Sequence, residues 1–237
     1  NLLKRKKENK ISVYKKAIDL LIRVQKIKQN KTKTFQNKIY KLPIYDNQKL
    51  YSEAKLFIDW YAKKFISKNK LPLLKIALNK QIKFLLSNIK IKDNVFVHRD
   101  FHVSNLMQHK GQLAIIDSQD ALKGNKAYDL ASLIDDVRYK TNKNFKDNIY
   151  RYYLKFNKNY INKDNFLNDF EILSVIRNMK IIGIFTRLAI RDKKPKYLNL
   201  IPYAWKLIEF RTKSSKKFNK LNYLLNLNFS KKMRNLK

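Results

Sequence analysis

Two histidines, an arginine, an aspartate and an asparagine crowd into residues 98–105, inside the stretch VHRDFHVSNLM (97–107). Phosphoryl transfer from ATP to a hydroxyl requires such groups. A carboxylate must take the proton of the attacking hydroxyl, and oxygen ligands must hold magnesium against the phosphates. Asp100 and Asn105 stand five positions apart, so a loop between two short strands can turn both into one cleft. Asp117 ends the apolar run LAIID (113–117), and a hairpin can carry it to Asn105 as an oxygen-only metal site. His98 and Arg99 are placed to brace the loop by hydrogen bonds.

Hydropathy patterning gives the elements that must position these residues. NVFVH (94–98) reads as a short strand, and NLMQHKGQLAIID (105–117) as a hairpin turning at Lys110–Gly111. Upstream, Ile11, Tyr14, Ile18, Leu21 and Ile22 recur at helical spacing, as do Leu50, Ala54, Phe57, Ile58, Tyr61 and Phe65. KLPIYDNQ between them is a loop, with Pro43 as breaker and Asp46–Asn47 as candidate N-cap. A third helix is expected at 73–88 after Pro72, a long one from about Phe166 to Arg191, and another after Pro202. Helical spacing also joins Leu130, Leu133, Ile134 and Val137, which makes Asp135 and Asp136 helix-surface charges. The expected fold class is α+β, mostly helical, with a small central β-hairpin. We divide it into a helical part (1–90), the catalytic and metal-binding loops (94–137) and a helical, substrate-side part (147–237).

Composition narrows the function classes. The 237 residues are 44% hydrophobic, enough for a sizeable core. The absence of cysteine excludes disulfides and thiolate metal sites and accords with the cytoplasmic location we expect. The longest apolar run, IIGIFTRLAI (181–190), is short and carries Arg187, so no membrane span is expected. A net charge of +36 invites a nucleic-acid reading, but the lysines are spread through nearly every segment, with neither an arginine-rich cluster nor an aromatic RNA-binding signature. No specific nucleic-acid partner is expected. One region departs from the basic background. Residues 100–136 hold Asp100, Asp117, Asp120, Asp129, Asp135 and Asp136 against Lys110, Lys123 and Lys126, a local net charge of −3 that points to a cation site.

The stretches VHRDFHVSNLM, LAIIDSQDA and AYDLASL, in that order, resemble the aminoglycoside phosphotransferase/choline kinase-type family, the small-molecule branch of the protein-kinase-like fold. LPIYDNQKLYSEAKLFIDWY and KIIGIFTRLAIRDKKPKYL extend the similarity to the anomeric sugar kinases acting on N-acetylmuramate and N-acetylglucosamine. The resemblance implies Asp100 as catalytic base, Asn105 and Asp117 as magnesium ligands and Asp129 of YDL as a buried brace, with ATP and Mg2+ as cofactors. It implies a sugar kinase of cell-wall recycling. The alternatives are a kinase of another alcohol, such as an aminoglycoside or amino alcohol, and a non-catalytic kinase-like binding module. Ser118 stands where the branch usually has Phe, and GNKAYDL lacks its Pro. The chain opens with Asn1 and the basic run KRKKENK, and its only glycines are Gly111, Gly124 and Gly183. None of these can form a Gly-rich phosphate loop, and no strand before residue 94 is expected to carry an ATP-clamping lysine. The chain is therefore read as the C-terminal lobe alone, inactive without an N-terminal lobe encoded upstream. Candidate substrate contacts are His102, Asp120, Arg187 and Arg191. Trp60 and Trp205 are expected in the core.

Overall fold

The computed structural model describes residues 9–29, 31–110, 112–156, 162–213 and 215–235. Its helices are α1 (Lys10–Gln25), α2 (Asn47–Ala54), α3 (Lys63–Phe65), α4 (Leu71–Ser87), α5 (Ala127–Ile134), α6 (Lys143–Lys155), α7 (Lys163–Ile190), α8 (Ile201–Thr212), α9 (Asn219–Asn228) and α10 (Lys231–Arg234). Its strands are β1 (Lys31–Lys33), β2 (Ile39–Lys41), β3 (Asn94–Val97), β4 (Leu106–His109), β5 (Gln112–Ile115) and β6 (Leu122–Asn125). The chain forms two compact units whose segments interleave. The first unites Asn1–Tyr45, Lys90–Asp136 and Thr141–Phe170, and the second Asp46–Ile89, Val137–Lys140 and Glu171–Lys237.

In the first unit, the Asn9 side chain caps α1 by accepting from the Ile11 amide. Val13, Tyr14, Ala17, Ile18 and Leu21 then bury one face of α1, and the helix packs on α6, where Tyr14 meets Phe145 edge to face at 4.8 Å. The C-terminal end of α1 positions α5. Gln25 accepts a hydrogen bond from Tyr153 (2.7 Å) and donates one to the Lys126 carbonyl (2.9 Å), which sets where α5 starts. Among the described residues, three two-stranded antiparallel sheets complete the unit: β1–β2, β3–β6 and β4–β5. In β3–β6, Phe96 pairs with Lys123 and Val97 with Leu122. In the hairpin β4–β5, Leu106 pairs with Ile115 and His109 with Gln112, and Lys110 enters the turn at φ 45°. The expected partner at that turn, Gly111, lies outside the described residues, as does most of KRKKENK. The segment before α2 adds to the sheet edge. Lys123 donates to Pro43 and Tyr45 to Lys123, so closely that a Cβ on Gly124 would lie 2.9 Å from that of Tyr45.

In the second unit, Asp46 caps α2 by accepting from the Lys49 amide (2.8 Å). The helical run continues through one π-helical turn, Phe57–Ala62, and α3. Phe57, Tyr61, Trp205 and Phe229 pack with ring centroids 5.3–5.7 Å apart, and the Trp205 indole donates to the Tyr61 hydroxyl (3.0 Å). Gly183 of α7 faces the Leu56 backbone, where an added Cβ would lie only 2.3 Å away.

Four expectations need correction. A hairpin, β1–β2, does precede residue 94; its strands are three residues each and exposed throughout, so neither apolar alternation nor length announces them. Val137 is not helical, because α5 ends at Ile134. Asp135 and Asp136 are not surface charges but are buried, at 0% and 1% exposure. Asp135 accepts from the buried Lys146 ammonium at 2.8 Å, which also donates to the Ile134 carbonyl. Trp60 is only half-buried, whereas Trp205 is core. Among the described residues no helix is long and apolar enough to cross a membrane.

Candidate active site

Asp129, in the first turn of α5, is fully buried. An anion there requires donors. Its two carboxylate oxygens accept from successive backbone amides, His98 at 2.6 Å and Arg99 at 3.0 Å. That grip holds Arg99 at φ 73°, a left-handed conformation that costs a non-glycine residue roughly 1–2 kcal/mol. The Arg99 side chain adds its own restraint: it donates to the Asp120 carbonyl (3.2 Å) and lies 5.4 Å from the centre of the Tyr45 ring. Tyr45 in turn donates to the Tyr128 hydroxyl beside Asp129 (3.0 Å). The chain therefore turns sharply at Arg99 and presents Asp100 to solvent, while Phe101 and Val103 plug the core beneath.

The next turn closes on Asp100. Its carbonyl accepts from the His102 amide (3.0 Å) and from Asn105 Nδ2 (3.1 Å). Using Nδ2 in this way leaves the Asn105 amide oxygen as an acceptor. The Asn105 carbonyl then takes the Ile116 amide (3.0 Å), and the Ile116 carbonyl meets His98 Nε2 at 3.0 Å. Ile116 is thus clamped on both sides by the 98–105 loop. Asp117 comes next at φ 63° and is exposed. Asp100 and Asp117 both act electrostatically on the His98 ring, pulling its pKa upward. Burial, the largest influence, outweighs them and the Ile116 contact, so the pKa falls below its ordinary 6.5. His98 is therefore neutral near pH 7 and donates through Nε2.

The structure brings Asp100, Asn105 and Asp117 together around His98, with Arg99 and Asp129 behind them. His102 is buried, at 4% exposure, and Asp120 is exposed. Arg187 and Arg191 belong to the second unit. Arg191 is exposed and holds both carboxylate oxygens of Asp192, at 2.7 and 3.1 Å. Asp169, which belongs to none of the sequence motifs, is fully buried and accepts from the amides of Lys90 and Ile91 and from Asn125 Nδ2. It ties the segment leading into β3 to the end of β6. Its local sequence, NFLNDFE (165–171), mixes polar and apolar residues and gives no signal of its burial.

Among the described residues no three His, Asp or Glu side chains form a metal cage. The Asn105 amide oxygen and the Asp117 carboxylate are hard oxygen donors. Two such ligands would suit magnesium, a hard cation that favours oxygen donors.

Residues 12–161 match the phosphotransferase enzyme family (APH). The N-acetylmuramate/N-acetylglucosamine kinase of Neisseria meningitidis serogroup B is 35% identical over 166 residues, covering 68% of this chain and 50% of the relative. The kinase of the same name from Pseudomonas aeruginosa is 31% identical over 207 residues, covering 85% of this chain and 58% of the relative. The chain spans about half the length of the curated relatives it matches. Among solved structures, an ethanolamine kinase of Plasmodium vivax aligns with a TM-score of 0.57 at 15% identity, over 85% of this chain and 59% of that one, a likeness of fold.

Proposed function

Because this chain belongs to the phosphotransferase enzyme family, we propose that it carries the base and metal ligands of an ATP-dependent sugar kinase. Its acceptor is the anomeric hydroxyl of an amino sugar, N-acetylmuramate or N-acetylglucosamine, recovered in cell-wall recycling in the cytoplasm. The observation that carries this reading is the clamp on Ile116, which sets Asp117 beside the loop bearing Asp100 and Asn105. The curated relatives supply the choice of sugar.

Asp100 accepts the proton of the anomeric hydroxyl as that oxygen bonds to the γ-phosphorus of ATP. The bond from this phosphorus to the β–γ bridging oxygen breaks, and ADP leaves with the electron pair. Magnesium held by Asn105 and Asp117 would neutralise the negative charge of the phosphates. His98 stays neutral and keeps its hydrogen bond to Ile116, so Asp117 holds its place through the reaction. The loop and lysine that cover the phosphates belong, in this proposal, to sequence outside residues 1–237.

The test uses the natural polypeptide that contains these residues. Incubated with ATP, magnesium and either sugar, it should form the sugar phosphate. Asp100→Asn should lower turnover by about 10²–10⁴-fold, the range of a general base, with ATP binding retained. Wild-type turnover in that variant would remove Asp100 from the role.

A further inference from the structure

We propose that a cavity of about 390 Å³ beside Asp117 is the acceptor-sugar pocket, and that Lys31 in its wall favours a sugar bearing a carboxylate. The proposal rests on the kinase reading and deepens it.

The cavity's size falls in the range of small-molecule sites, about 300–1,000 Å³. Its position is set by the two segments that carry the chemistry. Phe96 comes from β3, four residues before Asp100, and Ser118 and Gln119 directly succeed Asp117. Further lining comes from the segment after α1, with Gln29, Lys31 and Tyr40. Gln29 Nε2 donates to the Lys31 carbonyl (3.1 Å), which fixes the start of β1 at the cavity's edge.

The lining suits an amino sugar. Tyr40 and Phe96 supply aromatic wall for the C–H face of a pyranose, and the amides of Gln29 and Gln119 can both donate to and accept from hydroxyl and acetamido groups. Among the described residues lining the cavity, Lys31 is the charged one. An ammonium in the wall can meet an anionic substituent of the sugar. N-acetylmuramate carries one, the carboxylate of its lactyl ether, and N-acetylglucosamine carries none.

Steady-state kinetics on the natural polypeptide test this. K31E should lower kcat/KM for N-acetylmuramate relative to N-acetylglucosamine on the order of tenfold, the worth of one charge-assisted hydrogen bond. K31R should restore the wild-type ratio. A thermal melt followed by circular dichroism reports that each variant is folded. An unchanged ratio, or an increase confined to the KM for ATP, overturns the assignment, the second outcome giving the cavity to the nucleotide. If the wild type phosphorylates neither sugar, the functional reading falls and takes this one with it. If it phosphorylates both and the ratio does not move, only the pocket assignment falls.

Discussion

Asp129 touches neither nucleotide nor sugar in the proposed reaction, yet it decides where Asp100 stands. Its carboxylate satisfies the two amides that force Arg99 into the left-handed conformation. Asp129→Asn keeps the shape but turns an NH₂ group toward one of those buried N–H donors. The expected loss is about 1.5–3 kcal/mol of unfolding free energy, measured by urea denaturation; an unchanged midpoint would mean that the loop holds its turn unaided. His98 offers a second test at this scale. Burial depresses its folded-state pKa below the 6.5 of an unfolded chain, so the unfolded state binds the proton first. The stability tied to neutral His98 is present above about pH 6.5 and is lost as pH falls toward and through the lower folded value. Between pH 7.5 and 5.5 the wild type should therefore lose more stability than His98→Gln, whose amide can still donate to Ile116. Equal slopes in the two proteins would show that His98 does not titrate as its burial requires.

Helix α7 crosses the Leu56 backbone at Gly183, where two opposing effects can be weighed. Gly183→Ala gains roughly 1 kcal/mol of helix propensity. It also drives a Cβ to 2.3 Å from a backbone carbon that cannot rotate away, and overpacking of this kind costs about 1–3 kcal/mol or more. The clash wins. A net loss of about 1–2 kcal/mol is expected, seen as a Tm lowered by about 2–8 °C in a thermal melt, and a raised Tm would mean that the crossing has slack. Elements of this kind are the legible part of the sequence. The helical spacing of α1 is regular, α7 is announced by the length of its run rather than by one apolar face, and Lys110 with its neighbours in sequence marks the turn of β4–β5. Within the candidate site, the spacing of Asp100, Asn105 and Asp117 is readable because loop and hairpin are contiguous in the chain. The features that stay hidden depend on distant partners. Asp135 and Asp136 look like surface charges because their burial is set by Lys146 arriving from α6 and by α5 stopping at Ile134. Lys31 and Tyr40 escape notice because β1 and β2 are short and exposed, and nothing local links them to Ser118 and Gln119.

Across the whole molecule, burial changes what the charge distribution means. Three of the six acids between residues 100 and 136, namely Asp129, Asp135 and Asp136, are spent inside the protein. Those left exposed are Asp100, Asp117 and Asp120, in a chain whose net charge is +36. The acidic island thus reduces to the proposed base, one proposed metal ligand and their neighbour, which suits a cation and a proton more than a broad electrostatic surface. The means of covering ATP is a different matter. Kinases cradle the phosphates with a glycine-rich loop and pair them with a lysine. Among the described residues, Gly124 is pressed against Tyr45 and Gly183 against Leu56. Neither is free for a phosphate loop. Residues 1–237 produced alone should therefore form no detectable sugar phosphate from ATP, magnesium and N-acetylmuramate or N-acetylglucosamine, while the natural polypeptide containing them does. Ile39, Ile44, Met107 and Ile116 are large apolar side chains of the first unit that remain exposed, and the isolated residues should accordingly aggregate more readily than the natural polypeptide, as light scattering would register. Turnover by residues 1–237 at about 1–100 s⁻¹, the ordinary rate of a kinase, would show that the phosphate clamp lies within these residues and that β1–β2, with Lys31, must be reconsidered as part of it.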